Sequence, residues 1–147
     1  MVSIALFPQR MNLRASQVIA AATRAVQAAA KVAVKTVTET TPADTGQARS
    51  NWITTRDIKF TGTIPAYSPG SHLGIGESAN AGAAQAQGNI AIDSFNAKSN
   101  KSVIIQNNLP YIEGLNDGSV SRQSSQMVPR ALQAAVVAVK AIKIFGD

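Results

Sequence analysis

A chain of 147 residues has the size of one ordinary domain and room for one modest core. Its composition, 45% hydrophobic and 15% charged, is that of a globular protein, and the lack of cysteine excludes disulfides, thiolate nucleophiles and cysteine-based metal sites. The net charge of +6 permits contact with nucleic acid or an acidic protein surface, but the 14 basic residues form no run and read mainly as solvation of helix faces.

Much of the apolar share is Ala, and only four Phe, two Tyr and one Trp are present. Ala buries little area, so such a subunit is expected to finish burying its surface against neighbours. The start, residues 1–8, is apolar but too short and too poor in basic residues for a secretory signal. Residues 1–12 read as an N-terminal arm or short strand. No stretch approaches the ~20 apolar residues of a membrane span, so no membrane partner is expected.

Residues 16–39 read as a long helix. Val18, Ala22, Val26, Ala29, Ala33 and Val37 recur at three- and four-residue steps, with Arg24, Gln27, Lys31 and Lys35 on the other side. Ser16 is the expected N-cap. Pro42 stops the helix, and Asp44 and Gly46 supply turn chemistry: an Asx-turn and a position tolerant of positive φ. A strand is expected over residues 52–60, where Trp52, Ile58 and Phe60 share one parity. Residues 61–77, rich in Pro and Gly, read as a long exposed loop.

Ser78 to about Phe95 reads as a third helix, weakened by Gly82 and Gly88. Residues 102–107 read as a strand buried on both faces or central in a small sheet. Pro110 breaks it, and Tyr111–Leu115 reads as one helical turn ended by Asn116-Asp117-Gly118. After a polar loop over 119–126, a final helix is expected from 126 to 145. Ser124 or Ser125 would cap it, and Leu132, Ala135, Val136, Val139 and Ile142 would form its buried stripe. The expected fold class is α+β, one domain over 1–147: long N- and C-terminal helices on a small, mostly antiparallel sheet, with long loops.

Few residues could carry chemistry. Asp44-Thr45-Gly46 matches the aspartic-protease turn, which a dimer could supply twice. Its context differs, since it follows a helix and Pro42 rather than a hydrophobic strand. Gly74-Ile75-Gly76 follows no buried strand, as a dinucleotide fingerprint must. His72 is the sole histidine and lies in a Gly/Ser/Pro-rich stretch with nothing to orient it. The eight carboxylates show no metal-loop spacing. No catalytic residue, cofactor or metal is therefore expected. Trp52 reads as a core anchor, Asn107 and Asn108 as caps of a strand end, and Tyr111 as a packed ring whose hydroxyl needs a partner.

Two segments stand in a particular order. The first is Thr41-Pro42-Ala43-Asp44-Thr45-Gly46-Gln47-Ala48-Arg49-Ser50-Asn51-Trp52. The second is Ile104-Ile105-Gln106-Asn107-Asn108-Leu109-Pro110-Tyr111-Ile112-Glu113, followed by Met127-Val128-Pro129-Arg130. Together they resemble the neck and tail-completion proteins of long-tailed bacteriophages, the minor tail protein Z type. In that family a long Ala-rich helix ends in a Thr-Pro-x-Asp-Thr-Gly turn followed by Arg and Asn-Trp. A later strand ends in Asn-Asn-x-Pro-Tyr, before a Met-Val-led C-terminal helix. The likeness spans about residues 13–145. It departs at Gly114-Leu115-Asn116-Asp117-Gly118, where the family has a Glu shortly before a Gly, and at Gln123-Ser124-Ser125-Gln126-Met127.

The resemblance implies a structural, non-enzymatic virion protein of the head–tail connector, made in the host cytoplasm. It would be a homo-oligomeric ring, of six by the family pattern, that helps join a finished tail to a DNA-filled head. Its partners would be other neck, connector and tail proteins, with DNA passing through the lumen. Under it, Pro42, Asp44 and Gly46 form a structural turn, and Trp52, Asn107, Pro110 and Tyr111 are structural anchors. Arg49, Glu113, Arg122, Met127 and Arg130 are candidate subunit contacts, Arg49 also as a partner for Asp44. The loops 61–76 and 119–126 are candidates for the same role. A basic nucleic-acid-binding module is the alternative reading, and a dimeric aspartic protease a further one.

Overall fold

The computed structural model describes residues 4–42, 46–69, 77–119 and 125–143. The fold is α+β. Helix α1 (Phe7–Thr40) is followed by a helical turn α2 (Gln47–Ser50), strand β1 (Ile53–Arg56) and helix α3 (Glu77–Asp93). Strand β2 (Val103–Gln106), the short helix α4 (Ile112–Asp117) and helix α5 (Met127–Lys140) complete it. The strands pair antiparallel, from Ile53 opposite Gln106 to Arg56 opposite Val103.

Helix α1 starts nine residues earlier than its apolar stripe suggests. A 3-10 turn at Ile4–Leu6 leads in, and Pro8 occupies the first helical turn, where a missing N–H costs nothing. Residues expected as a separate arm are therefore helical from Phe7 on, and Ser16 is an interior helical residue rather than a cap. At ~1.5 Å per residue the 34-residue helix is about 50 Å long. Its last turns are rich in β-branched residues, which lose side-chain freedom in a helix. Two things hold them. Thr36, Thr38, Thr40 and Thr41 each donate a hydroxyl to the carbonyl four residues back. Val34, Val37, Thr38 and Thr41 are also buried. Thr41 then turns extended (ψ 124°), as a residue before proline should.

Strand β1 is shorter than the expected 52–60. Asp57 adopts φ +62°, which ends the ladder and leaves Ile58 78% exposed. The Asp57 carboxylate compensates by accepting from the N–H groups of Lys101 and Ser102 and from the Asn100 amide, closing the turn before β2. Strand β2 is half-buried along its whole length, not buried on both faces, because the sheet has only two strands among the described residues.

The core lies where α1 meets α3, α5 and the sheet. One cluster joins Val37, Trp52, Met127 and Ala131; the other joins Ala30, Val34 and Ile92, with Val103 and Ile105 against it. Gly88 reads in sequence as a helix weakener, but a Cβ there would meet Thr54 Oγ1 at 2.9 Å and Val34 Cγ1 at 3.2 Å. Its missing side chain lets α3 lie close on β1 and α1.

The C-terminal helix differs most from expectation. It runs antiparallel to α1, with Met127 beside Val37 at one end and Val139 and Ile142 beside Val18 and Ala21 at the other. Its buried residues are Met127 and Ala131, with Ala134, Ala135 and Ala138 half-buried, whereas Leu132, Val136 and Val139 are exposed. Beyond Met127 the residues of α5 that pack inward are small alanines, and Leu132 and Val136, expected in the core, are more than half exposed. The expected serine cap is also replaced. Ser125 donates to the Leu115 carbonyl, and the Asn116 amide oxygen accepts from the Val128 N–H. Ser124 lies outside the described residues.

Candidate assembly surface

The segments that carry the family resemblance converge at the end of α1. Trp52 Nε1 donates to Thr41 Oγ1 at 2.7 Å, the Met127 sulfur contacts the same hydroxyl, and Thr41 donates to Val37. Arg49 reaches back from α2: its Nε donates to the Thr41 carbonyl at 2.8 Å and its Nη2 to the Glu39 carbonyl. A cation on these last carbonyls complements the negative end of the helix. Asn107 Nδ2 donates to the Ala48 carbonyl at 2.8 Å and its Oδ1 accepts from Leu109 N–H, tying the end of β2 to α2. Residues up to 86 positions apart thus share one knot.

Gly46 is the pivot. Its φ is +79°, and a Cβ there would sit 2.1 Å from Asn80 Nδ2, so both the backbone and the space demand glycine. Asp44 itself lies outside the described residues, as do His72 and Arg122. Pro42 is half-buried beside Thr41. Met127, expected as a subunit contact, is 0% exposed and is a core residue instead; burial against Trp52 and Val37 leaves it nothing to offer a neighbour. Glu113, Arg130 and Pro110 are exposed, and Tyr111 is 36% exposed at the start of α4.

Residues 57–69 are not a free loop. Four carboxamides each hold a backbone unit by both its N–H and its C=O, as a neighbouring strand would. Gln106 holds Phe60, Asn51 holds Ile64, Asn80 holds Ser68, and Gln87 holds Thr54 on the outer edge of β1. Asn108 adds the Gly62 carbonyl, and Ser50 accepts from the Tyr67 N–H. The segment is a strap stitched across the sheet and α3. Amides spaced far apart in sequence carry no periodic signal, so the sequence could not reveal it.

Two surfaces remain. The first is apolar. Among the described residues, fifteen large apolar side chains are more than a third exposed; six lie on the N-terminal turns of the chain and five on α5. Every described side chain from Leu6 to Val18 is exposed, so these turns of α1 project beyond the body. Between α1, α5 and β2 runs an open groove of about 360 Å³, with Val26, Ala29, Ala33, Val103, Ile105 and Ala135 among its lining residues, none of them polar. The second surface is basic. Arg10, Arg24, Lys31 and Lys35 are exposed along the opposite side of α1, and Lys31 pairs with Asp93 at the surface.

Chemistry is sparse. Among the described residues no three His, Asp or Glu side chains gather to hold a metal, and no helix is long and apolar enough to cross a membrane. Asp57 is held below the ordinary carboxylate range, first by the Asn100 amide and then by the Ser102 and Lys101 N–H groups. Asp117 is lowered by hydrogen bonds from Ser119. Both are turn caps. No family model, curated protein or solved structure matches this chain.

Proposed function

We propose that the chain is a structural subunit of a bacteriophage neck, one copy in a ring that helps join a finished tail to a DNA-filled head. One observation carries the reading. The residues of the two resembling segments and of Met127 meet in a single knot, in which Thr41, Arg49, Trp52, Asn107 and Met127 contact one another or the same short turns. An ordered set of short motifs that converges on one place acts as a unit, which supports a family resemblance more than isolated matches would. The unsatisfied apolar surface fits a subunit that completes its burial in an assembly. In this reading the protein has no catalytic step and no cofactor, and it resides at the head–tail junction of the virion.

The test is electron microscopy of particles produced with and without the chain. The reading expects labelled chain at the head–tail junction, and separate filled heads and tails when it is removed. Normal joining without it would overturn the reading.

The basic side of α1 favours a second reading, contact with DNA. Binding that weakens by decades between ~50 and 200 mM salt would support it. A ring whose lumen carries that side of α1 would unite the two.

A further inference from the structure

The projecting turns of α1 and the groove beside α5 are complementary, and they belong to the same chain. On the projection, Ile4, Phe7, Met11 and Val18 follow at three-, four- and seven-residue steps. The stripe continues into Ala21 and Ala25, which lie beside Val139 of α5 and Ile142 within the body. The face that packs on a second helix thus runs on past the described end of α5 with no cover among the described residues, and it changes there from small to large side chains. The groove is the reverse. Ala29, Ala33 and Ala135 line it together with Val26, Val103 and Ile105, so it is apolar, and its small side chains leave room for large ones.

The geometry points to an exchanged arm: the first turns of α1 in one copy lie in the α1–α5–β2 groove of the next copy. The arm cannot reach its own groove, because both are parts of one continuous helix. Met11 and Ala29 are 18 residues apart on it, about 27 Å at ~1.5 Å per residue. The occupant is therefore another molecule, and a second copy supplies arm and groove in equal number. A helix of four turns, ~22 Å long and ~10–12 Å across, buried along half its girth contributes on the order of 350–500 Å², about half of the ~800 Å² per partner of a stable interface. Val139 of α5 lines the groove as well, and the exposed Leu132 and Val136 on the same helix would extend the contact. Each copy gives an arm forward and receives one behind, a head-to-tail contact that closes into a ring when the rotation permits.

This inference rests on the ring reading and names its interface. The chain has no cysteine, so introduced pairs report cleanly. Met11→Cys/Ala29→Cys is expected to give, under mild oxidation, a ladder of covalent multimers that ends at the ring number. Within one chain that disulfide is impossible, because bridged Cα atoms must lie within ~7 Å. Dimers from Met11→Cys alone would mean arm-to-arm pairing and would overturn the proposal; so would a double variant that stays monomeric. Met11→Asp, at an exposed position, keeps the helical circular dichroism and should lower the oligomer population at least tenfold. If that variant still forms full rings, the arm is wrong and the ring reading stands. If arm-dependent rings form but never join tails to heads, the arm stands and the neck reading fails.

Discussion

The two ends of α1 are opposites. At its C-terminal end Arg49 and Trp52 both donate to Thr41, and beside them Ser50 donates to Asn80 while Asn51 holds the Ile64 backbone. At its N-terminal end Phe7, Met11 and Leu13 are more than half exposed and Val18 nearly so. One helix thus carries a part whose polar groups are satisfied within the chain and a part whose apolar groups are not. The first kind of end sets the subunit's fold, where removing one partner leaves a buried group unpaired. The second kind contributes little to the fold of one copy, and its free energy is available to an assembly.

The sharpest way to break this contrast is to damage the knot. Trp52→Ala removes the largest side chain of the first core cluster and the N–H that Thr41 accepts, and should cost about 3–5 kcal/mol in denaturant unfolding. Gly46→Ala meets both the left-handed φ and the Asn80 amide, for a loss of about 2–4 kcal/mol. A loss under ~1 kcal/mol in either variant would show that the knot does not hold the fold.

A smaller effect tests the seat of β1 on α3. Thr54 Oγ1 is buried without a hydrogen-bond partner among the described residues. Thr54→Val keeps the shape and removes the unpaired hydroxyl, so stability should stay level or rise by about 1 kcal/mol. A clear loss would point to a partner outside the described residues. Asp57 gives a pH test with a definite sign. Its folded pKa lies below the unfolded value, so its contribution is present above about pH 4 and is lost as pH falls through the folded pKa. Asp57→Asn, which retains the turn's tolerance of positive φ, should flatten the decline of the melting temperature below about pH 4. An unchanged acid limb would remove the carboxylate from the account.

The smallest effect on folding falls on the other end. Leu132→Gln, on the large face of α5, should change subunit stability by no more than about 0.5 kcal/mol, because that side chain is 63% exposed in one copy. A loss of several kcal/mol would place Leu132 in the core of a single chain.

This contrast also explains what could be read in advance. The long helix, its stop at Pro42, the turn at Gly46, the two main strands and the final helix follow from periodicity and turn chemistry, which are local. The buried face of α5 does not. Leu132, Val136 and Val139 are the large apolar residues of its expected stripe, and the rule that such side chains face the core assumes a monomer. Here Ala131, Ala134 and Ala138 face α1 and bring the helices close, which leaves the large residues for another surface. Met127 was misplaced for the converse reason: a motif position suggested an interface, and its burial with Trp52 is a contact over 75 residues that periodicity does not encode. The strap was illegible because it depends on four separated amides, and residues 61–69 look in sequence like any Pro/Gly-rich loop.

The most direct test of the account is the native mass of the intact chain. The subunit mass is 15.3 kDa. The account predicts a closed oligomer at a single multiple of that mass, lost when Met11 becomes Asp. A folded monomer at concentrations of tens of micromolar, with its apolar arm and groove both open to water, would contradict it.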